Sequence, residues 1–142
     1  MMKTKLSIAR YVGLVVVFLV VPLGVSLAAD FDGSKKLLCV PTDVTECSGA
    51  GECNRVTVEE INIPKWITVD FKQKQLSGTD SDGEAETTAI ENVRTAEGQT
   101  ILQGAENGRA WSMTIDQVTG DMTAAVAGDG TGFVLFGVCQ KQ

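Results

Sequence analysis

The chain has 142 residues, enough for one domain, with 12 basic and 18 acidic side chains and a net charge of −6. It contains no histidine, which excludes Ser-His-Asp and Cys-His mechanisms and histidine-bearing zinc sites. The negative balance repels phosphates and argues against nucleic acid as a partner.

Residues 1–29 differ from the rest. Lys3, Lys5 and Arg10 are their only charges, and Tyr11 to Val21 is apolar apart from Gly13. Pro22, Gly24 and the small residues Ser26, Ala28 and Ala29 follow. Positive, apolar and small-residue regions in this order predict a secretory signal peptide cleaved after Ala28 or Ala29. An uncleaved anchor is the alternative, but a spanning helix needs roughly 20 apolar residues and Pro22 and Gly24 interrupt the run. No cysteine lies near the cleavage site, which argues against a lipid anchor. Cleavage leaves residues 30–142 as a single domain, with 9 basic residues against 18 acidic ones. The expected location is periplasmic or secreted, without membrane insertion.

Residues 30–38 read as a leader, with Leu37 and Leu38 entering the fold. Cys39, Cys47, Cys53 and Cys139 are an even set in an exported chain, which predicts disulfides. Of three possible pairings, Cys47–Cys53 with Cys39–Cys139 is favoured. The first closes a Gly-containing loop; the second ties the start of the domain to its last strand, closing about 100 residues for at most ~4.7 kcal/mol of chain entropy. The spacing of Cys47 and Cys53 matches neither redox nor zinc motifs.

Val56 and Val58 begin a predicted strand toward Ile61 and Ile63, ended by Pro64. Ile67, Val69 and Phe71 alternate in the next strand, which turns at Lys72-Gln73-Lys74 into Gln75-Leu76-Ser77. Residues 83–96 are ambiguous. Ala85, Ala89, Val93 and Ala96 share a helical face behind a Ser81-x-x-Glu84 capping box, while Thr87, Thr88, Ile90 and Val93 favour a strand at Thr87–Arg94, the reading adopted. Thr100 to Gly104 is a strand, and Asn107-Gly108 a hairpin turn. Trp111, Met113 and Ile115 then alternate with polar residues. Turns at residues 117–120 and 128–132 flank a strand carrying Met122, Ala124 and Val126. Phe133 to Cys139 is apolar on both faces, which predicts a central strand buried on both sides or a dimer interface. The total, about seven or eight strands with meander connections, predicts an all-β fold, a small antiparallel barrel, with a β-sandwich as the alternative.

Few residues carry candidate chemistry. Asp80, Asp82 and Glu84 offer oxygen ligands for calcium, but the loop misses the EF-hand pattern and reads better as a solvated turn. Gly128-x-Gly130-x-Gly132 precedes a strand rather than a helix, so it is a hairpin and not a phosphate loop. Trp66 falls out of phase with Ile67, Val69 and Phe71 and is expected to face outward as a possible interface anchor. Trp111 is expected in the core or lining a pocket. Arg109 is a candidate anion contact, with an ion pair to Glu106 as the simpler expectation. Glu59 and Glu60, adjacent on a strand, would point to opposite faces. No catalytic constellation and no cofactor are expected.

The run Ile101-Leu102-Gln103-Gly104-Ala105-Glu106-Asn107-Gly108-Arg109-Ala110-Trp111-Ser112-Met113-Thr114-Ile115, with Thr119-Gly120-Asp121-Met122, Ala127-Gly128-Asp129-Gly130 and Phe136-Gly137-Val138-Cys139, resembles a group of small exported bacterial proteins of unassigned function. The resemblance implies a bacterial source and export, and transfers no catalytic residue. Barrel-like patterning without catalytic groups predicts a non-enzymatic binding module for a small apolar ligand or an envelope component. A protein–protein interaction or inhibitor domain presenting residues 79–86 is the alternative, and a carboxylate-based enzyme the third reading.

Overall fold

A computed structural model describes residues 30–142; the signal peptide read at residues 1–29 lies outside them. The strands are β1 (Leu37–Ser48), β2 (Cys53–Val56), β3 (Ile67–Asp70), β4 (Gln75–Thr79) and β5 (Ala85–Ala89). They continue as β6 (Asn92–Ala96), β7 (Gln99–Glu106), β8 (Arg109–Asp116), β9 (Asp121–Gly128) and β10 (Thr131–Lys141). All pairings are antiparallel, in the order β5-β4-β3-β1-β10-β9-β8-β7-β6, with β2 hydrogen-bonded to β1. The ten strands of the described residues, somewhat more than the seven or eight expected, form a curled, barrel-like all-β sheet.

Two meanders make this sheet, β3 to β5 and β6 to β10, and β1 joins them by pairing with β3 on one side and β10 on the other. Alternation sets which residues enter the core: Leu102, Met113, Ile115, Met122, Ala124, Phe133 and Leu135 are all buried. Asn107 and Gly108 both have positive φ, 48° and 78°, which gives the β7–β8 turn the twist that keeps its strands paired.

The two edges of the sheet meet at Ile90 and Glu91. The Ile90 N–H donates to the Lys74 carbonyl at 2.8 Å, and the Glu91 N–H donates to the Gln103 carbonyl at 2.9 Å. The chain thus passes from the β4 side to the β7 side within two residues, and Ile90 is buried there. This corrects the reading of residues 83–96. Neither the helix nor one strand at Thr87–Arg94 forms; β5 and β6 lie on either side of this crossing.

Three further expectations are corrected. No strand spans Val56 to Ile63, because Thr57 and Glu60 cap one another. The Thr57 N–H donates to Glu60 Oε2 at 2.7 Å and the Glu60 N–H to Thr57 Oγ1 at 3.3 Å, which holds a turn in place of a ladder. Glu59 and Glu60 therefore sit on a turn, where Glu59 pairs with Lys65 at 2.6 Å. Leu37 and Leu38, read as the entry to the fold, begin the longest strand among the described residues, β1. Finally, β10 is central but not buried on both faces: Val134, Phe136 and Val138 are 36%, 49% and 50% exposed.

Both disulfides link residues directly opposite in the sheet, Cys39–Cys139 between β1 and β10 and Cys47–Cys53 between β1 and β2. They fit an oxidising compartment. No helix among the described residues is long and apolar enough to cross a membrane.

Candidate functional site

The two ends of the curled sheet differ. At the end holding the β6–β7 and β8–β9 turns, the chain preceding β1 closes the opening. The Phe31 N–H donates to the Gln117 carbonyl, while Thr100 Oγ1 donates to the Phe31 carbonyl at 2.8 Å and Gln117 Nε2 donates to Thr100 Oγ1 at 3.1 Å. Thr100 and Gln117 are buried, and this chain of bonds satisfies them.

The opposite end contains a cavity of about 410 Å³. Its depth is apolar, from Ile67, Leu76, Met113, Ala124 and Leu135; Glu86, Glu106, Arg109 and Asp129 stand at its mouth. Strand phase explains the arrangement. Arg109 is in register with the inward residues Trp111, Met113 and Ile115, and Glu106 opposes Arg109 across the hairpin. Glu86 opposes Gly78 on β4, two residues beyond the buried Leu76.

The segment between β2 and β3 lies against this mouth. Ile61, Ile63 and Pro64 line it, and Asn62 Nδ2 donates to Asp80 Oδ2 at 3.1 Å while Ser81 Oγ donates to Asn62 Oδ1 at 2.6 Å. Gly78 permits this approach: a β-carbon there would stand 2.5 Å from Pro64 Cβ and 2.7 Å from the Trp66 carbonyl oxygen.

Of the residues singled out in the sequence, Trp111 and Arg109 line the cavity. Trp111 is half-buried and its indole N–H donates to Thr88 Oγ1 at 3.4 Å. Arg109 pairs with Asp129 (Nε to Oδ2, 3.4 Å), not with Glu106 as expected; the β9–β10 turn brings Asp129 beside it. Its guanidinium also lies 5.7 Å from the centre of the Phe133 ring, an attractive cation–π placement. Trp66 is 57% exposed and apart from the cavity lining.

Asp80, Asp82 and Glu84 are organised as a turn. Asp80 Oδ1 accepts the N–H groups of Asp82 at 3.0 Å and Glu84 at 2.8 Å. These bonds, that of Glu84 foremost, hold the Asp80 carboxyl below its ordinary range. Among the described residues, no group of three or more Cys, Asp or Glu is arranged to hold a metal ion.

From the sequence alone, Glu106 is expected only as a partner for Arg109 and Glu86 only within the loop 79–86, neither of them in a ligand site. Neither forms an ion pair among the described residues. Glu86 is exposed, yet its pKa is raised, first by slight desolvation and then by the negative charges of Asp80 and Glu106. The phase of Glu106 with Leu102 was a usable signal for its inward direction; Glu86, at the end of the acidic stretch that starts at Asp80, offered none.

Neither a scan of protein-family models nor a search of curated proteins returns a match to this chain.

Proposed function

We propose that this is an exported, non-catalytic binding protein that holds a small apolar ligand in the cavity at the open end of its barrel. The cavity carries this reading. At about 410 Å³ it falls within the roughly 300–1,000 Å³ of small-molecule sites. It also has their usual composition, an apolar interior with a few polar groups at the entrance. Export is supported by the pattern of residues 1–29 and by two disulfides. The likeness to small exported bacterial proteins points to a periplasmic or secreted location.

Native mass spectrometry tests the reading, on protein recovered from a bacterial host expressing the full chain. The expected spectrum shows a chain shortened by the signal, four hydrogens lighter than its reduced form, with an added mass that leaves on denaturation. A bare protein that also takes up no alkyl compound offered to it would overturn the binding function.

A further inference from the structure

Resting on the cavity as a ligand site, we infer that its ligand is an apolar amine, an alkyl chain or ring system ending in an ammonium group, with the cation held between Glu86 and Glu106. An apolar interior selects for hydrocarbon, and the charged groups at its entrance select the head group. Three carboxylates and one guanidinium line the cavity, those of Glu86, Glu106, Asp129 and Arg109. Arg109 and Asp129 satisfy each other, and the Arg109 guanidinium is drawn over Phe133. Glu86 and Glu106 are left facing the opening without a cationic partner among the described residues.

The Glu86 side chain is exposed and that of Glu106 half-buried, and two like charges at one opening without a counterion repel one another. The upward pKa of Glu86 reflects that cost, its causes being slight desolvation and the neighbouring Asp80 and Glu106. An ammonium entering between the two glutamates relieves it, whereas a carboxylate or phosphate head group adds a third negative charge. The excess of acidic residues, 18 against 9 over residues 30–142, attracts cations to the surface and repels anions.

Isothermal titration calorimetry separates the alternatives, with decylamine, decanol and decanoate each below its micellar concentration, at pH 7 and low salt. The protein is the disulfide-intact product of the full chain. Decylamine is expected to bind at least ~tenfold more tightly than decanol, and decanoate more weakly than decanol. In the Glu86→Gln/Glu106→Gln variant the ratio of decylamine to decanol affinity should fall below about threefold, because the groups that distinguish the two head groups are gone. Equal binding of the three probes, or a preference that survives in the variant, would overturn the amine assignment and leave the apolar site standing. If none of the three binds, the cavity is not an alkyl site and both readings fall.

Discussion

Gly104 lies directly opposite Trp111 in the β7–β8 pairing, and the indole ring occupies the space a side chain on Gly104 would need. A β-carbon there would stand 2.5 Å from Trp111 Cζ2 and 2.5 Å from the Ala89 carbonyl oxygen. One missing side chain thus seats the cavity's tryptophan and lets β5 approach β7 where the barrel edges meet. Gly104→Ala should cost about 1–3 kcal/mol by overpacking, measured by urea unfolding. It should also alter the near-ultraviolet circular dichroism of Trp111, while Gly104→Ala with the native dichroism and stability would contradict the packing.

The two faces of β10 should respond differently to truncation. Leu135→Ala removes a side chain 2% exposed and is expected to cost about 2–5 kcal/mol. Phe136→Ala, 49% exposed on the other face, should cost much less despite the larger side chain removed. Equal losses would mean that the outer face of β10 is covered.

Access distinguishes the disulfides. Cys39 is 0% exposed and Cys139 6%, while Cys53 is exposed. Thiolate attack requires access to sulfur, so mild dithiothreitol should open Cys47–Cys53 first, seen by alkylation and peptide mass spectrometry. Loss of Cys39–Cys139, in the C39A/C139A protein, should destabilise more. It spans 100 positions against 6, for about 4.7 against about 2 kcal/mol in the chain-entropy model.

Lys36 and Asp70 set part of the acid limit of the fold. Their side chains meet at 2.7 Å, and Asp70 Oδ1 accepts the N–H groups of Lys72 and Gln73, each at 3.0 Å. The Lys36 hydrogen bond first, then these amides, lower the Asp70 pKa below 3.8. A depressed carboxyl stabilises the fold above its unfolded pKa, and the contribution is lost as pH falls through the folded one. Asp70→Asn should lower Tm at pH 7, with the gap narrowing once the pH drops below 3.8.

Glu86 has the opposite sign. Its pKa is raised above 4.5, so its ionisation disfavours the fold, and the stability present below the unfolded pKa is lost as pH rises through the folded one. Glu86→Gln should raise Tm at pH 7 and leave it unchanged near pH 4. A variant less stable at pH 7 would point to a stabilising partner for this carboxylate.

Short-range information was enough for much of this molecule. The alternation of Trp111, Met113 and Ile115, and of Met122, Ala124 and Val126, made strands and their inward faces readable, because period-two patterning is local. Asn107-Gly108 announced its hairpin for the same reason. β1 was hidden because its alternation is broken. Leu37, Cys39 and Pro41 face inward, then a bulge between Pro41 and Asp43 shifts the register and Val44 takes the inward position. An extra residue flips the phase of everything after it, and a proline such as Pro41 is disfavoured inside a sheet.

The site was less legible still, because residues far apart in the chain compose it. Arg109 and Glu106 were close enough in sequence to be paired by eye, yet Asp129 holds the arginine. Glu86 and Glu106 meet at one opening only because Ile90 and Glu91 carry the chain across from one sheet edge to the other. Local sequence decides which residues are strands and which side of a strand is apolar; closing a curled sheet is a long-range event, and it alone decides which side chains share a cavity.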